Sequence, residues 1–199
     1  MPSTQQHHRR PDVVEPELVG GVEKRELVLA DPDPTWPAAY RDHEARIREA
    51  LGDRLVAVEH IGSTSVPGLA AKPIIDVLVV VPDITAEEDY VDPLLAAGYE
   101  LRVREPGHRL VRTPARDVHV HVLEPADPAV DEYLLLRDHL RRDEDDRGLY
   151  ERTKRELAAQ DWPDMNAYAD AKTDVIEAIK ARARSAREER TAVDVQDLS

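Results

Sequence analysis

The sequence predicts an α/β (α+β) fold, in which helices flank a mixed β-sheet and a C-terminal helical portion follows. Three observations predict it. The aliphatic run Val77–Val81 is typical of a buried strand. Short alternating segments surround this run, and apolar residues recur at helical spacing in the last third of the chain. A length of 199 residues suits one domain with tails, and a hydrophobic content of 41% is enough for a folded core.

Charge and cysteine content exclude several classes of protein. The 27 Lys and Arg residues against 41 Asp and Glu residues give a net charge of −14, which argues against binding to extended nucleic acid or to an anionic membrane. A local basic pocket for a small phosphorylated ligand is still compatible with this charge. Without cysteine, a metal ion must be held by carboxylate, imidazole or phosphate oxygen. No apolar run is typical of a signal peptide or a membrane span, so we expect a cytoplasmic protein.

The chain divides into a central domain and two peripheral segments. Residues 1–26 are polar and interrupted by prolines, which predicts a flexible N-terminal tail. Residues 184–199 are rich in charge and predict a C-terminal tail that begins as helix. The working domain is therefore expected to span residues 27–183.

The first half of this domain predicts one helix and two strands. Thr35 is a plausible N-cap with Pro37 in the first turn, and apolar residues follow at helical spacing until Gly52 ends the helix. A strand is predicted over Leu55–Ile61, a loop over Gly62–Lys72, and a buried strand over Ile74–Val81.

The second half predicts three strands and four helices. Glycine and proline mark the turns, with Gly98 after the first helix and Pro106-Gly107 between two strands. The predicted strands cover Tyr99–Val103, Arg109–Thr113 and Val118–Leu123, and the predicted helices cover Ala86–Ala97, Ala129–Arg142, Asp146–Gln160 and Pro163–Ala183.

The segment from Gly62 to Asp76 carries the first candidate site. A glycine and a hydroxyl after a strand let backbone N–H groups approach an anion, which makes Gly62, Ser63 and Thr64 candidates for phosphate binding. Asp76 is a lone acid on an aliphatic strand and needs a partner. The alternative interpretation is that Ser63 and Thr64 only cap a turn and that Asp76 accepts hydrogen bonds from it.

Two histidines form the second candidate site. Strand alternation places Asp117, His119 and His121 on one face, and the valines between them on the other. Two imidazoles side by side are typical of a ligand-binding face. An antiparallel strand with a solvent-exposed side would give the same pattern.

Three C-terminal helices each place one cation within an apolar stripe. These cations are Arg137, Lys154 and Lys172. A cation on a buried face must extend to solvent, pair with an acid or point into a polar cleft. Three in succession favour convergence on an anionic ligand, although extension to solvent explains each one individually.

A longer set of motifs is similar to the GrpB-like family of the nucleotidyltransferase superfamily. This family is also found as a domain appended to some dephospho-CoA kinases. The resemblance covers about Leu27 to Ala183 and is carried by Asp33–Pro37, His60–Val77, Gly98–Tyr99, His108–Arg109, His119–Val122, Leu136–Asp138 and Tyr168–Lys172.

The resemblance implies a cleft that holds a nucleoside triphosphate with divalent metal. The superfamily places Asp-x-Asp on the strand after Gly-Ser and a third acid on a later strand, and these acids bind two Mg²⁺ ions. Asp76 matches the second acid, Ile74 stands in place of the first, and the later strand carries His119 and His121. These three polar residues could hold one Mg²⁺, Mn²⁺ or Zn²⁺ ion, and imidazole favours a transition metal. Candidates to make the cleft basic are Lys72, Arg109, Arg137, Lys154 and Lys172.

The leading hypothesis is therefore transfer of a nucleotidyl group to an unidentified small acceptor, with Ser63 and Asp76 as the catalytic candidates. The first alternative is a catalytically silent nucleotide-binding or protein-interaction domain linked to coenzyme A metabolism. The second is a metal-dependent hydrolase that uses the two histidines.

Overall fold

The computed structural model describes residues 11–21, 28–162 and 165–197. These residues form a mixed α/β structure, which confirms the predicted fold class. They fall into two compact units. The first comprises 11–21, 34–61 and 74–130, and the second comprises 28–33, 62–73, 131–162 and 165–197.

The first unit is built on a mixed sheet, which has six strands within the described residues. Only β3 and β6 run parallel among the described neighbours, and the other strand pairs are antiparallel. The strand order is β1-β4-β5-β6-β3-β2. The strands span Glu17–Leu18 (β1), Ala57–Ile61 (β2), Ile75–Val80 (β3), Glu100–Glu105 (β4), His108–Arg112 (β5) and Val118–Leu123 (β6).

Two helices of this unit, α1 (Trp36–Leu51) and α2 (Glu87–Ala96), pack on one face of the sheet. Alternation directs Val77 and Val79 of β3 and Val120 of β6 to that face, where all three are fully buried. Helix α1 begins after Thr35 with a proline in its first turn and ends before Gly52, as the sequence predicts. The opposite face carries the polar residues that interrupt the aliphatic strands. The carboxylate of Asp76 on β3 and the imidazoles of His119 and His121 on β6 therefore lie on the same side of the sheet.

The N-terminal segment differs from the predicted tail over its described part. Glu17 and Leu18 pair with β4, and Arg102 donates hydrogen bonds to the carbonyls of Val19 and Gly21. Asp12 accepts hydrogen bonds from the Gly107 backbone and from Arg109. The sequence showed no strand periodicity here because β1 is only two residues long. Residues 1–10 and 22–26 of the predicted tail lie outside the described residues.

The second unit is helical and includes the segment after β2. Leu69, Leu140 and Ile179 form its core with Val66 and Tyr150. Its helices span Pro128–Arg142 (α3, whose first residues belong to the first unit), Glu144–Ala158 (α4), Met165–Asp170 (α5) and Thr173–Asp197 (α6). None of the described helices is long and apolar enough to cross a membrane.

Two boundaries in this unit differ from the predicted ones. The helix predicted over Pro163–Ala183 is interrupted at Ala171 and Lys172, where the Lys172 N–H bonds to the carbonyl of Ala169 in a tightened turn. The segment predicted as a tail continues α6 to Asp197, because alanine, arginine and glutamate favour helix even without an apolar stripe. Residues 198–199 lie outside the described part.

Candidate metal and phosphate sites

Asp76, His119 and His121 lie together on one face of the sheet. The parallel register pairs Asp76 on β3 with His119 on β6, and His121 follows two residues later on the same face. One carboxylate oxygen of Asp76 lies 3.7 Å from Nδ1 of His119 and 3.6 Å from Nε2 of His121. The side chains are 28%, 25% and 18% exposed, respectively. The arrangement is therefore accessible to a small ligand rather than sealed in the core.

This donor set fits a divalent ion of the first transition series. One ligand atom from each of the three residues lies within 4.8 Å of the others. Imidazole nitrogens are preferred by zinc and similar ions, whereas Mg²⁺ prefers oxygen ligands. Three protein ligands also leave coordination positions for water or a phosphate oxygen. The resemblance of the sequence to a known family predicted this grouping, and the parallel pairing of β3 with β6 is the physical reason for it.

His108 extends the group and was not predicted as a site residue. Its Nε2 lies 3.2 Å from Nδ1 of His121, and its Nδ1 lies 2.8 Å from a carboxylate oxygen of Glu105. The rings of His108 and His121 are nearly parallel, with an angle of 15° between their planes and centroids 5.4 Å apart. Burial, together with the neighbouring His121, lowers the pKa of His108. The Pro106-Gly107 turn between two strands was the available signal, because a two-residue hairpin loop places Glu105 opposite His108.

The segment after β2 forms a tight turn that only glycine can start easily. Gly62 has φ of 69° and ψ of −176°, a region that is essentially restricted to glycine. Ser63–Ser65 then form one turn of 3₁₀ helix, in which the Ser65 hydroxyl donates to the Gly62 carbonyl at 2.6 Å. Arg141 of α3 donates to the carbonyl of Ser65 at 2.8 and 3.0 Å. The backbone of the turn is thus fixed by side chains of its own unit.

Lys154 of α4 is buried against this turn. Its ammonium donates to the Ser63 hydroxyl at 3.1 Å and to the carbonyl of Ala70, and it lies 4.7 Å from the ring centroid of Tyr150. Only 3% of the residue is exposed. Burial, followed by repulsion from Lys172, lowers the pKa of Lys154 to about 7. A nearby anion would raise this pKa again, because it favours the charged form of the ammonium.

The other predicted cations have different surroundings. The ammonium of Lys172 lies 4.4 Å from the ring centroid of Tyr168, and its charge contributes to the lowered pKa of Lys154. Arg137 pairs with Asp138 at 2.8 Å. Lys72 is half-buried in the segment before β3, and Thr64 is buried in the turn. The structure therefore brings Lys172 near Lys154, while Arg137 has a carboxylate partner on its own helix.

Arg109 differs from the expectation that it lines the phosphate site. It is 1% exposed and lies on the sheet face that packs against α2, opposite the face of His119 and His121. There it pairs with Glu87 and Asp12, each at 2.7 Å. Alternation along β5 explains the difference, because His108 rather than Arg109 has the parity of the histidine face.

A second histidine and carboxylate cluster has a structural explanation. His139, Asp143 and Asp146 lie close together in the second unit. Asp146 accepts hydrogen bonds from Arg182 of α6 and one of 2.7 Å from His139, and Asp143 caps α4 by accepting from the Asp146 backbone. The Asp146 carboxylate is thus already paired with Arg182, and the cluster joins α3, α4 and α6.

Comparisons with known proteins assign the family. A family model described as GrpB protein matches residues 26–182. The UPF0157 protein of Streptomyces coelicolor is 66% identical over 90% of this chain and 96% of its own length. The dephospho-CoA kinase of Mycolicibacterium paratuberculosis is 32% identical over 72% of this chain but only 42% of that protein. The crystal structure of the conserved protein GrpB from Enterococcus faecalis superimposes with a TM-score of 0.70 at 30% identity, covering 78% of this chain and 96% of that one. The chain therefore belongs to the GrpB family, as its sequence motifs predicted.

Proposed function

We propose that the chain is a nucleotidyltransferase-fold protein that binds a nucleoside triphosphate together with a transition-metal ion. The observation that carries the proposal is the grouping of Asp76, His119 and His121 within 4.8 Å. A divalent ion held by these ligands would supply positive charge to phosphate oxygens when bound. The proposed role of Asp76 is to provide the anionic ligand, and the role of the two imidazoles is to select the ion.

The turn at Gly62, Ser63 and Thr64 is the proposed binding site for phosphate groups. Support comes from the glycine-only backbone at Gly62 and from the buried ammonium of Lys154 on the Ser63 hydroxyl. Lys172 adds a second positive charge near Lys154. In this proposal Ser63 and the lysines orient the phosphates, and no proton transfer is assigned to them. If metal binding and nucleotide binding strengthen each other, the proposed metal ligands and the proposed phosphate-binding turn serve the same ligand.

Transfer of the nucleotidyl group to a small acceptor is the proposed reaction, and it is expected to be slow with Mg²⁺. Two-ion catalysis needs acids that hold both ions, yet Ile74 occupies the position of one acid and histidines occupy the position of another. The same observation favours a second candidate function, a nucleotide-binding domain without catalysis. The similarity to part of a dephospho-CoA kinase is compatible with such a domain in coenzyme A metabolism.

A thermal-shift matrix of nucleotides against metals tests the proposal. We expect ATP or GTP to raise the melting temperature, and Mn²⁺ or Zn²⁺ to increase that shift more than Mg²⁺ does. Ser63→Ala and Lys154→Met should reduce the nucleotide effect, Asp76→Asn should remove the metal effect, and Lys180→Met on α6 is the matched control. The absence of any nucleotide shift in the unmodified chain would refute nucleotide binding.

Release of pyrophosphate and of inorganic phosphate, measured with pooled small acceptors, separates the reactions. Pyrophosphate that appears only with an acceptor supports transfer, whereas release of inorganic phosphate alone supports the hydrolase alternative. A nucleotide shift without either product supports the silent domain. Rapid Mg²⁺-supported pyrophosphate release would contradict the proposed consequence of Ile74.

A further inference from the structure

A continuous line of polar atoms connects the proposed metal ligands to the end of the β4–β5 hairpin. The line runs from the carboxylate of Asp76 to Nε2 of His121 at 3.6 Å, then from Nδ1 of His121 to Nε2 of His108 at 3.2 Å. It ends where Nδ1 of His108 lies 2.8 Å from Glu105. All four residues belong to the first unit, and four strands, β3, β4, β5 and β6, supply one each.

The chemistry of these groups determines where the protons lie. An ionised carboxylate can only accept a hydrogen bond, so Nδ1 of His108 carries the proton that faces Glu105. A neutral His108 then offers a lone pair at Nε2, and only a protonated Nδ1 of His121 satisfies it. His121 consequently has its own lone pair at Nε2, directed toward Asp76. In this arrangement every hydrogen-bond donor along the line faces an acceptor.

The pair of atoms at the Asp76 end of the line differs from the other pairs. The Nε2 lone pair of His121 and the carboxylate oxygen of Asp76 are both acceptors at 3.6 Å, with Nδ1 of His119 3.7 Å from the same oxygen. A metal ion placed between these two atoms would be bound by both of them. A metal ligand that donates its second N–H to another group is the usual arrangement of metal-bound histidine, since the second bond fixes both tautomer and ring orientation.

We propose that His108 and Glu105 are positioning residues that hold His121 in the Nδ1–H tautomer and thereby direct its Nε2 lone pair to the metal ion. This inference deepens the proposed function and rests on the proposed metal site, but the tautomer itself is a property of the metal-free chain. His108 acts through His121 and does not contact the ion. Glu105 acts one step further away and at 45% side-chain exposure, so its effect should be the smaller one.

The first test is nitrogen-15 NMR of the histidine rings in the metal-free protein at pH 8. In the unmodified chain we expect the Nδ1–H tautomer for His121. His108→Leu removes the acceptor and should shift His121 toward the Nε2–H tautomer, whereas His108→Gln keeps an acceptor and should preserve Nδ1–H. His43→Leu, which removes a histidine of α1 that contacts Tyr99, is the matched control. An Nε2–H tautomer in the unmodified chain, or no change in His108→Leu, would overturn the inference.

The second test is the dissociation constant for Zn²⁺ in the same variants. We expect His108→Leu to weaken binding by about 10- to 100-fold, the range known for removal of such outer partners, and His108→Gln to recover most of the affinity. Unchanged affinity in His108→Leu would refute the positioning role while leaving the metal site intact. Absence of Zn²⁺ binding in every protein, with the expected tautomers, would refute the metal site and with it the role toward the ion. Circular dichroism establishes that each variant is folded.

Discussion

Replacing Lys154 by methionine should change how the stability of the protein depends on pH. The folded chain holds the pKa of Lys154 at about 7, compared with 10.5 for an exposed lysine. Burial is the main cause, since only 3% of the residue is accessible. Because about 1.4 kcal/mol corresponds to a tenfold change, the charged ammonium costs the folded state about 5 kcal/mol at pH 6.

The direction in which stability changes with pH follows from the number of protons that each state binds. Between pH 7 and pH 10.5 the unfolded chain binds more protons at this lysine than the folded chain does, so stability rises with pH across that window. The cost falls from about 5 kcal/mol at pH 6 to about 2 kcal/mol at pH 9. Methionine has no such dependence, although it leaves the Ala70 carbonyl without its ammonium partner. The difference between the two proteins should therefore change by about 3 kcal/mol between these pH values.

Urea denaturation at pH 6, 7, 8 and 9 measures this difference. We expect Lys154→Met to be favoured most at pH 6 and to lose that advantage as pH rises. Lys180→Met, which removes a lysine that pairs with Glu132 and Glu177, controls for the loss of one positive charge. If the free-energy difference between the unmodified chain and Lys154→Met is the same at pH 6 and pH 9, the assignment of a depressed pKa is wrong.

Three other predictions concern stability and are read from denaturation curves. Asp146→Asn should cost about 2–4 kcal/mol, because Arg182 and His139 lose a charged partner. Hydrogen bonds from Arg182 hold the pKa of Asp146 below its ordinary value of 3.8. The stability that this pairing contributes is therefore present above pH 3.8 and is lost as the pH falls through the lower pKa of the folded state. Equal stability of Asp146→Asn and the unmodified chain at neutral pH would contradict the prediction. Gly62→Ala should cost about 1–3 kcal/mol, unless the turn can leave its present backbone geometry. Leu69→Ala should cost about 2–5 kcal/mol, and a smaller loss would mean that the core collapses around the gap.

Local patterns in the sequence were sufficient for the elements with strong periodicity. The alternation of valine and histidine predicted β6 with the same ends as in the structure, and glycine placed the ends of α1 and α2 within a residue or two. The short edge strand at Glu17–Leu18 could not be predicted this way, because two residues carry no period and its pairing depends on β4. The break between α5 and α6 was missed because the apolar spacing continues through it.

The candidate metal group was predictable in its members but not in its geometry. Alternation placed His119 and His121 on one face, while the resemblance to a family was needed to bring Asp76 beside them. His108 was missed because its contact with His121 depends on the register of β5 against β6. Arg109 was assigned to a phosphate site because it is a cation within the family motif His108–Arg109, and a motif gives no information on which face of the sheet a side chain occupies. Register between distant strands is a tertiary property that local spacing does not encode.

Equilibrium binding of Zn²⁺ tests the central claim most directly. The measurement uses a chain carrying His7→Gln and His8→Gln, so that neighbouring histidines near the N-terminus do not contribute. We predict one ion per chain, at least about tenfold weaker binding in Asp76→Asn, His119→Gln and His121→Gln, and no change in His43→Gln. Equal binding in the three site variants and the His43→Gln control, or no binding in the unmodified site, would contradict the metal site on this face of the sheet.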